Sequence, residues 1–446
     1  MKQVFIKTYG CQMNERDTEA IRGLLKSHGY GITDEVHNAD VILLNTCSIR
    51  EQAEMKAIGK LTSLFQQKKR RDLLLGVFGC MAQHHGIELQ KRIPAIDFII
   101  GTEKLHHIAD YLDRHFANTA VNPKGTIVDV TAEQDSQNKI STRDLKPGQV
   151  SAFVSIMQGC NMHCSYCIVP TTRGQERYRP MKDILDEIQY LIIHGVKEVT
   201  LLGQIVNHYG QGTFPMVDGK SPFVQLLEAI QGLDGIERIR FMSPHPVGFR
   251  HDLIGCFGRL SKLCPHIHLP LQSASDHILK AMKRPYSCDI FRQIVQRLRE
   301  RVPDMAFSTD IIVGFPGETE EDFDKTVAFF DEIAFDMAFI FKYSPRSHTL
   351  AAFMEEQIAE SKKEERQQVL LKTLERHSYE HNRKLIGTTQ QVLVEGKAHR
   401  GESKFFGRNA HFRKVIFDGH PELIGQTVGI IIERASTTAL LGKVLP

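Results

Sequence analysis

The spacing of apolar and polar positions changes character three times along the chain. Over the first 116 residues, short apolar runs alternate with stretches of helical period. Strands are expected at Val4–Gly10, Asp40–Thr46, Leu73–Gly79 and Asp97–Gly101, and helices at Glu15–His28, Glu51–Leu64 and Leu105–Phe116. Alternation of this kind predicts a doubly wound parallel sheet. Residues 118–147 lose the pattern, are rich in Asn, Thr, Ser, Gln, Asp and Lys, and read as a linker with one short strand at Thr126–Val130.

Beyond the linker a strand-then-helix unit recurs six times. Its strands are expected at Ala152–Met157, Glu198–Leu202, Arg238–Phe241, Ile267–Leu271, Ala306–Val313 and Ala338–Tyr343, with helices such as Asp183–His194 and Glu320–Ile333 between them. Six right-handed βα units close most of a barrel, a partial (β/α)6, whose chemistry belongs at the C-terminal ends of the strands. A charged helix follows over 361–384. From Gly387 the period drops to short alternating strands with Gly and Asn turns, which predicts a small antiparallel β-barrel. The class is therefore α/β with a β-barrel appended. Its expected divisions are 1–117, the linker 118–147, a barrel over 148–378 and the small barrel over 379–446.

Composition narrows the function classes only slightly. The 446 residues carry a net charge of +3, too small to announce a nucleic-acid binder, so any such contact must be local. No apolar run is long enough to cross a membrane, and the chain opens on a strand-like run rather than a signal peptide. A cytoplasmic protein without a membrane partner is expected. The nine cysteines are an odd number, and in that compartment they point to metal rather than disulfides.

Cys160, Cys164 and Cys167 lie in one tight loop, Gln158-Gly159-Cys160-Asn161-Met162-His163-Cys164-Ser165-Tyr166-Cys167, directly after the first barrel strand. Three thiolates on a cubane 4Fe–4S cluster leave one iron free for a substrate's amino and carboxylate groups. The alternatives are a zinc site, for which His163 is the only fourth ligand at hand, and three buried cysteines acting as small hydrophobes. Cys11, Cys47 and Cys80 are far apart in sequence, yet each follows a predicted strand of the first sheet. Strand C-termini in such a sheet share one edge, so the three could converge on a metal; three unrelated buried cysteines is the other reading. Cys256, Cys264 and Cys288 share no such pattern and read as structural.

The Cys-x3-Cys-x2-Cys loop, with Tyr166 before its third cysteine, resembles the radical S-adenosylmethionine superfamily. That resemblance implies an electron passing through the cluster, cleavage of a carbon–sulfur bond of S-adenosyl-L-methionine, and hydrogen abstraction by the resulting radical. Along nearly its whole length the chain is similar to the methylthiotransferase family. The segments that carry this likeness are Thr8-Tyr9-Gly10-Cys11-Gln12-Met13-Asn14-Glu15, Asn45-Thr46-Cys47-Ser48-Ile49-Arg50-Glu51 and Gly79-Cys80-Met81-Ala82-Gln83. They resemble most the members acting on N6-(dimethylallyl)adenosine in tRNA, 3′ of the anticodon. Members acting on a ribosomal-protein aspartate usually have Pro-Lys after the first cysteine, where Gln12-Met13 stand here. The family implies two 4Fe–4S clusters, the second on Cys11, Cys47 and Cys80. It also implies an electron donor such as flavodoxin or ferredoxin, and no DNA. Ile205, Ala274 and His348 depart from the usual Asn, Gly and Gly.

Polar groups at the expected strand ends are candidates for the cofactor or the target nucleoside. Tyr166, Gln204 and Ser243 are assigned to the cofactor; Asn207, His245, Gln272, Ser273, Lys342, Ser344 and Arg346 share the location. The alternative for each is a solvated loop group or a helix cap. From Gly387 onward eight Lys or Arg stand against five Asp or Glu, interleaved with Phe405, Phe406 and Phe412. Basic groups beside rings suit RNA, although a solvated face over core phenylalanines gives the same pattern. By its likeness to the TRAM domain, Arg408, Arg413 and Lys414 are expected at the anticodon stem-loop of tRNA.

Overall fold

β1 (Gln3–Thr8), β2 (Gly31–Thr33), β3 (Val41–Thr46), β4 (Leu74–Gly79), β5 (Phe98–Ile100) and β6 (Ile127–Asp129) form one sheet in the order β2-β1-β3-β4-β5-β6, every neighbouring pair parallel. This is a computed structural model. The described residues are 1–48, 51–68, 73–117, 126–133, 136, 139–140, 143–401 and 403–445, without the side chains of 51–53 and 65–67. Ile49 and Arg50 of the second cysteine segment, and much of the expected linker, lie outside them. β3 and β4 are buried at every position, as central strands covered on both faces must be.

The covering helices are α1 (Gln12–Ser27), α2 (Glu51–Lys68), α3 (Cys80–Arg92) and α4 (Ile108–Phe116). α3, unmarked in the apolar pattern, begins on a candidate cysteine. The described end of the linker is fastened rather than free. Arg143 pairs with Glu19, and Asp144 receives Arg22 Nε at 3.0 Å and Lys26 Nζ at 2.6 Å.

The chain forms two units. The first comprises Met1–Leu145, Met157–His163 and Cys167–Arg179; the second comprises Lys146–Ile156, Cys164–Tyr166 and Pro180–Pro446. β7 (Ser151–Ser155) belongs to the second. The expected strand then continues as β8 (Met157–Gln158), which leaves β7's sheet and pairs with β9 (Arg177–Tyr178) in the first. α5 (Val169–Arg173) lies between β8 and β9 in the chain.

In the second unit, β10 (Glu198–Leu202) and β11 (Arg238–Phe241) join β7 in the order β11-β10-β7. β12 (His266–His268), β13 (Ala306–Val313) and β14 (Met337–Lys342) form a second parallel set. Ile239 N donates to Lys262 O at 2.7 Å and Cys264 N to Ile239 O at 3.1 Å, bridging β11 to the segment before β12. The six parallel strands form the expected partial barrel, with their C-terminal ends at one mouth. β12 stops two residues after its start, short of the expected Leu271, because its register against β13 slips by one residue, from His268 opposite Ser308 to Gln272 opposite Ile311, and Leu271 N turns instead to Thr309 Oγ1 at 3.0 Å. Pairing resumes at Gln272, whose N–H donates to Asp310 O at 2.8 Å.

The long α6 (Glu360–Arg383) leads to β15 (Thr389–Lys397), β16 (Lys404–Arg408), β17 (Lys414–Asp418), β18 (Thr427–Ala435) and β19 (Leu440–Val444). They close as a barrel, antiparallel except for the parallel pair β17 and β19. Val392, Val394, Phe405, Val415, Phe417 and Ile430 fill its interior.

Candidate functional site

Cys11, Cys47 and Cys80 occupy equivalent places. Cys11 caps α1 two turn residues after β1, Cys47 follows β3, and Cys80 opens α3 at the end of β4. Parallel order in the sheet brings these strand ends to one edge. The sulfurs interact there: Cys47 hydrogen-bonds Cys11, and the charge of Cys11 reaches Cys80. Gly79 adopts φ +95°, and a Cβ on it would stand 2.6 Å from Asn45 Oδ1 and 2.7 Å from Thr46 O, so a glycine is required for the approach. Beneath the thiols, Asn14 Nδ2 donates to Asn45 Oδ1 at 2.7 Å, while Asn45 Nδ2 donates to Asn14 O at 2.8 Å. This reciprocal amide pair locks α1 to β3 and fixes where Cys11 and Cys47 point.

Arg173, at the end of α5, is the member the sequence did not reveal. It is 2% exposed, donates from Nη1 to Asp17 Oδ2 at 2.9 Å, and lies against the Cys80 thiol. The hydrogen bond from Cys47, the Arg173 charge and the N–H groups at the start of α1 bring the Cys11 thiol down to about 6 against the opposing effect of burial. Burial pushes the enclosed Cys80 thiol up. An arginine six residues past Cys167 in a polar loop carries no periodic or spacing signal.

The three-cysteine loop runs from β8 to α5. Cys160 N donates to Gly174 O at 3.0 Å, and Met162 N donates to Cys160 Sγ at 3.4 Å. Gly159 has φ +84°, and a Cβ there would stand 1.9 Å from Gln175 O. Gly159→Ala is therefore expected to destabilise the protein by at least about 1–2 kcal/mol, the cost of the left-handed conformation alone. It should also lower iron incorporation; denaturant midpoints and iron analysis of the variant check both.

In the second unit, Cys164 receives Arg284 Nη1 at 3.5 Å, while Ser165 N and Oγ donate to Met282 O at 3.0 Å and Ala281 O at 2.8 Å. Tyr166 packs edge-on against Phe315.

The whole chain has close relatives. A tRNA-2-methylthio-N(6)-dimethylallyladenosine synthase from Opitutus terrae is 49% identical over 470 residues, spanning 100% of this chain and 98% of the relative. One from Akkermansia muciniphila is 48% identical over 457 residues, spanning 100% and 99%. The chain belongs to the tRNA-2-methylthio-N(6)-dimethylallyladenosine synthase family. Within it, residues 3–101 match an uncharacterized protein family, UPF0004, residues 154–330 match the Radical SAM superfamily and residues 383–445 the TRAM domain. A radical S-adenosylmethionine methyltransferase from Kitasatospora setae, solved with cobalamin and a [4Fe-4S] cluster, shares the fold. Its TM-score is 0.59 at 14% identity, covering 79% of this chain and 77% of the other.

As a member of the synthase family the chain is a radical S-adenosylmethionine enzyme, and S-adenosyl-L-methionine and 4Fe–4S clusters are the cofactors of that chemistry. Its barrel mouth carries non-glycine residues in left-handed backbone: Ser243 at φ +58°, Gln272 at +71° and His348 at +69°. Strain of that kind persists where surrounding structure enforces it, and it clusters at functional sites. Gln204 follows β10, and its Oε1 is buried with no hydrogen-bond partner among the described residues.

His245 is held between Asn207 and Val247: its N–H donates to Asn207 Oδ1 at 2.8 Å, and its Nδ1 accepts from Val247 N at 3.1 Å. Burial first, and the Arg284 charge second, push its pKa down to about 2. A depressed value means that the stability gained by a neutral ring is present above about pH 6.5 and drains away as pH falls below it. His245→Asn should therefore flatten the pH dependence of unfolding between pH 6.5 and 4.5 by up to one proton, about 1.4 kcal/mol per pH unit. Denaturant titrations across that range decide it, and an unchanged slope refutes it.

In this chain's C-terminal module, the hairpin after β16 docks at the N-terminal ends of the barrel strands. Arg240 donates to Ala410 O at 2.8 Å and Asn409 O at 3.0 Å, and Arg238 to Gln391 O at 3.1 Å. The Phe412 ring stacks on His266 with centroids 5.0 Å apart. Arg413 pairs with Asp336, and Arg408 with Glu395. Phe405 lies in the small barrel's core, whereas Lys414 stands 5.0 Å over the half-buried Phe406 ring.

Among the described residues, His106, His107 and Glu133 also stand together. Lys104 Nζ already meets Glu133 at 2.6 Å and Lys139 pairs with it too, so the group is a charge cluster.

Proposed function

We propose that this chain converts N6-(dimethylallyl)adenosine to 2-methylthio-N6-(dimethylallyl)adenosine in tRNA, 3′ of the anticodon. The observation that carries this reading is the gathering of Cys11, Cys47 and Cys80 on one sheet edge in a chain whose three-cysteine loop belongs to a radical barrel. Its full-length similarity to synthases named for that nucleoside specifies the substrate.

In this reading Cys160, Cys164 and Cys167 hold the radical-generating 4Fe–4S cluster, and Cys11, Cys47 and Cys80 a second one. The donor sets fit. Each offers three thiols, the number that leaves one iron of a cubane open, and an arginine beside each set, Arg173 buried and Arg284 half-buried, suits an anionic group. When bound, the first cluster supplies the electron that breaks a carbon–sulfur bond of S-adenosyl-L-methionine.

The chain's own residues do the rest. Ser165, tied to Ala281 and Met282, fixes the loop around Cys164, and Tyr166 braces it against Phe315. Gln204 and Ser243 are assigned to S-adenosyl-L-methionine, the first on its unpaired buried oxygen and the second on its strained backbone at the mouth. The division at 1–117, 118–147, 148–378 and 379–446 gives each step a module. Support for an RNA role in the last module is greatest at Lys414 beside the Phe406 ring, where a cation and a π-face meet. Arg408 and Arg413 serve that surface through the hairpin they brace. The target base must leave its stack to reach the mouth, which costs least in an unpaired anticodon loop. A cytoplasmic flavodoxin or ferredoxin is the assigned electron donor, and the cytoplasm the assigned compartment.

Mass spectrometry of tRNA nucleosides from a strain lacking the gene tests the proposal. 2-Methylthio-N6-(dimethylallyl)adenosine should disappear and N6-(dimethylallyl)adenosine accumulate, with reversal on complementation. Loss of another thiomethylated nucleoside, or no change, overturns the assignment.

A further inference from the structure

Arg173 and Asp17 form an ion pair in which both residues are 2% exposed. Burying such a pair costs desolvation that its mutual attraction only partly offsets, and a well-packed apolar pair would stabilise the fold as well or better. The arginine is also incompletely satisfied: its Nη2 is buried and has no hydrogen-bond partner among the described residues. The guanidinium lies against Cys80, and its charge acts on Cys80 and Cys11. Asp17 stands on α1, six residues after Cys11, so the pair reaches the cysteine edge from α5 on one side and α1 on the other.

A cation, an under-used donor and three sulfurs in one place, with only Cys11 partly exposed among the cysteines, form an arrangement that folding alone does not call for. A thiolate-bound iron–sulfur group supplies what it lacks, namely negative charge facing the guanidinium. N–H donors and nearby charge set the reduction potential of such groups: a fixed cation favours the more negative, reduced state, and an anion opposes it.

We infer that Arg173 and Asp17 act as an opposed pair of positioning residues that set the reduction potential of the group held by Cys11, Cys47 and Cys80. Arg173 raises the potential and Asp17 limits the rise. The inference rests on the proposed assignment of those three cysteines to a cluster. No electron or atom is transferred to either residue, so both are unchanged over a turnover.

The test uses the full-length chain carrying Cys160/Cys164/Cys167→Ala, reconstituted anaerobically with iron and sulfide, so that only the second site loads. A redox titration followed by electron paramagnetic resonance then reads its potential. Arg173→Gln should move the potential down, Asp17→Asn should move it up, and Arg173→Lys should return it toward the parent value. Opposite shifts are the signature, because damage to packing has no reason to change sign between the two. If Arg173→Gln loads no iron while Arg173→Lys loads fully, the requirement for a cation is supported and Asp17→Asn carries the sign test. Potentials indifferent to both substitutions, or moved the same way by both, overturn the inference alone. A parent protein that loads no iron at this site overturns the two-cluster assignment and this inference with it.

Discussion

Replacing Cys160, Cys164 and Cys167 together by alanine should remove about half of the iron bound after anaerobic reconstitution, as expected if one of two four-iron clusters is lost. Methylthio transfer to tRNA should fall below detection. The three thiols lie in one loop whose backbone is held independently of them, by Cys160 N on Gly174 O and by Ser165 on Met282 and Ala281. The loop should therefore keep its course without metal, and the variant should remain folded. The expected result separates two failures. If the variant binds no iron at all, Cys11, Cys47 and Cys80 are not a cluster site and the two-cluster assignment falls. If it keeps all of its iron, the loop is not the radical site.

Arg240→Met is expected to cost about 3–5 kcal/mol, the range for removing one partner of a buried ion pair. Arg240 is 3% exposed, forms an ion pair with Glu198 in which Nε lies 3.1 Å from the carboxylate, and stands 5.0 Å from the Phe412 ring. With methionine there, Glu198 keeps only the more distant Arg238 at 3.9 Å. The carbonyls of Asn409 and Ala410 lose the donors that hold the hairpin to the barrel. Both the radical barrel and the small barrel should be affected, because the residue serves the junction within their common unit. Denaturant unfolding measures the cost; a loss below about 1 kcal/mol, the scale of an exposed pair, would mean the junction is effectively solvated.

The apolar pattern was sufficient for most of the architecture because its cause is local. A run such as Val41-Ile42-Leu43-Leu44 can be buried on both faces only inside a parallel sheet, and β3 is where it lies. Glu198–Leu202, Arg238–Phe241 and Ala306–Val313 appear with the boundaries expected of them. The differences also have local causes. A one-residue slip in register against β13 cuts β12 short, and the run expected from Ala152 divides because β8 turns away to pair with β9.

The sequence by itself determined the six candidate cysteines, their places after strands and the family's likeness, since cysteine spacing and strand periodicity are properties of neighbouring residues. Only the tertiary structure decided what surrounds them. Asp17 and Arg173 are 156 positions apart, as are, on a similar scale, Cys164 and Arg284 at 120. Nothing in either neighbourhood marks an arginine that will face a cysteine site, because such a contact depends on what the rest of the chain packs around it. The same holds at the C-terminus. Arg408 and Arg413 read as free cations along the chain, yet folding brings Glu395 and Asp336 against them. Charge is legible residue by residue; whether it is spent inside the protein or offered to a partner depends on contacts made across the fold.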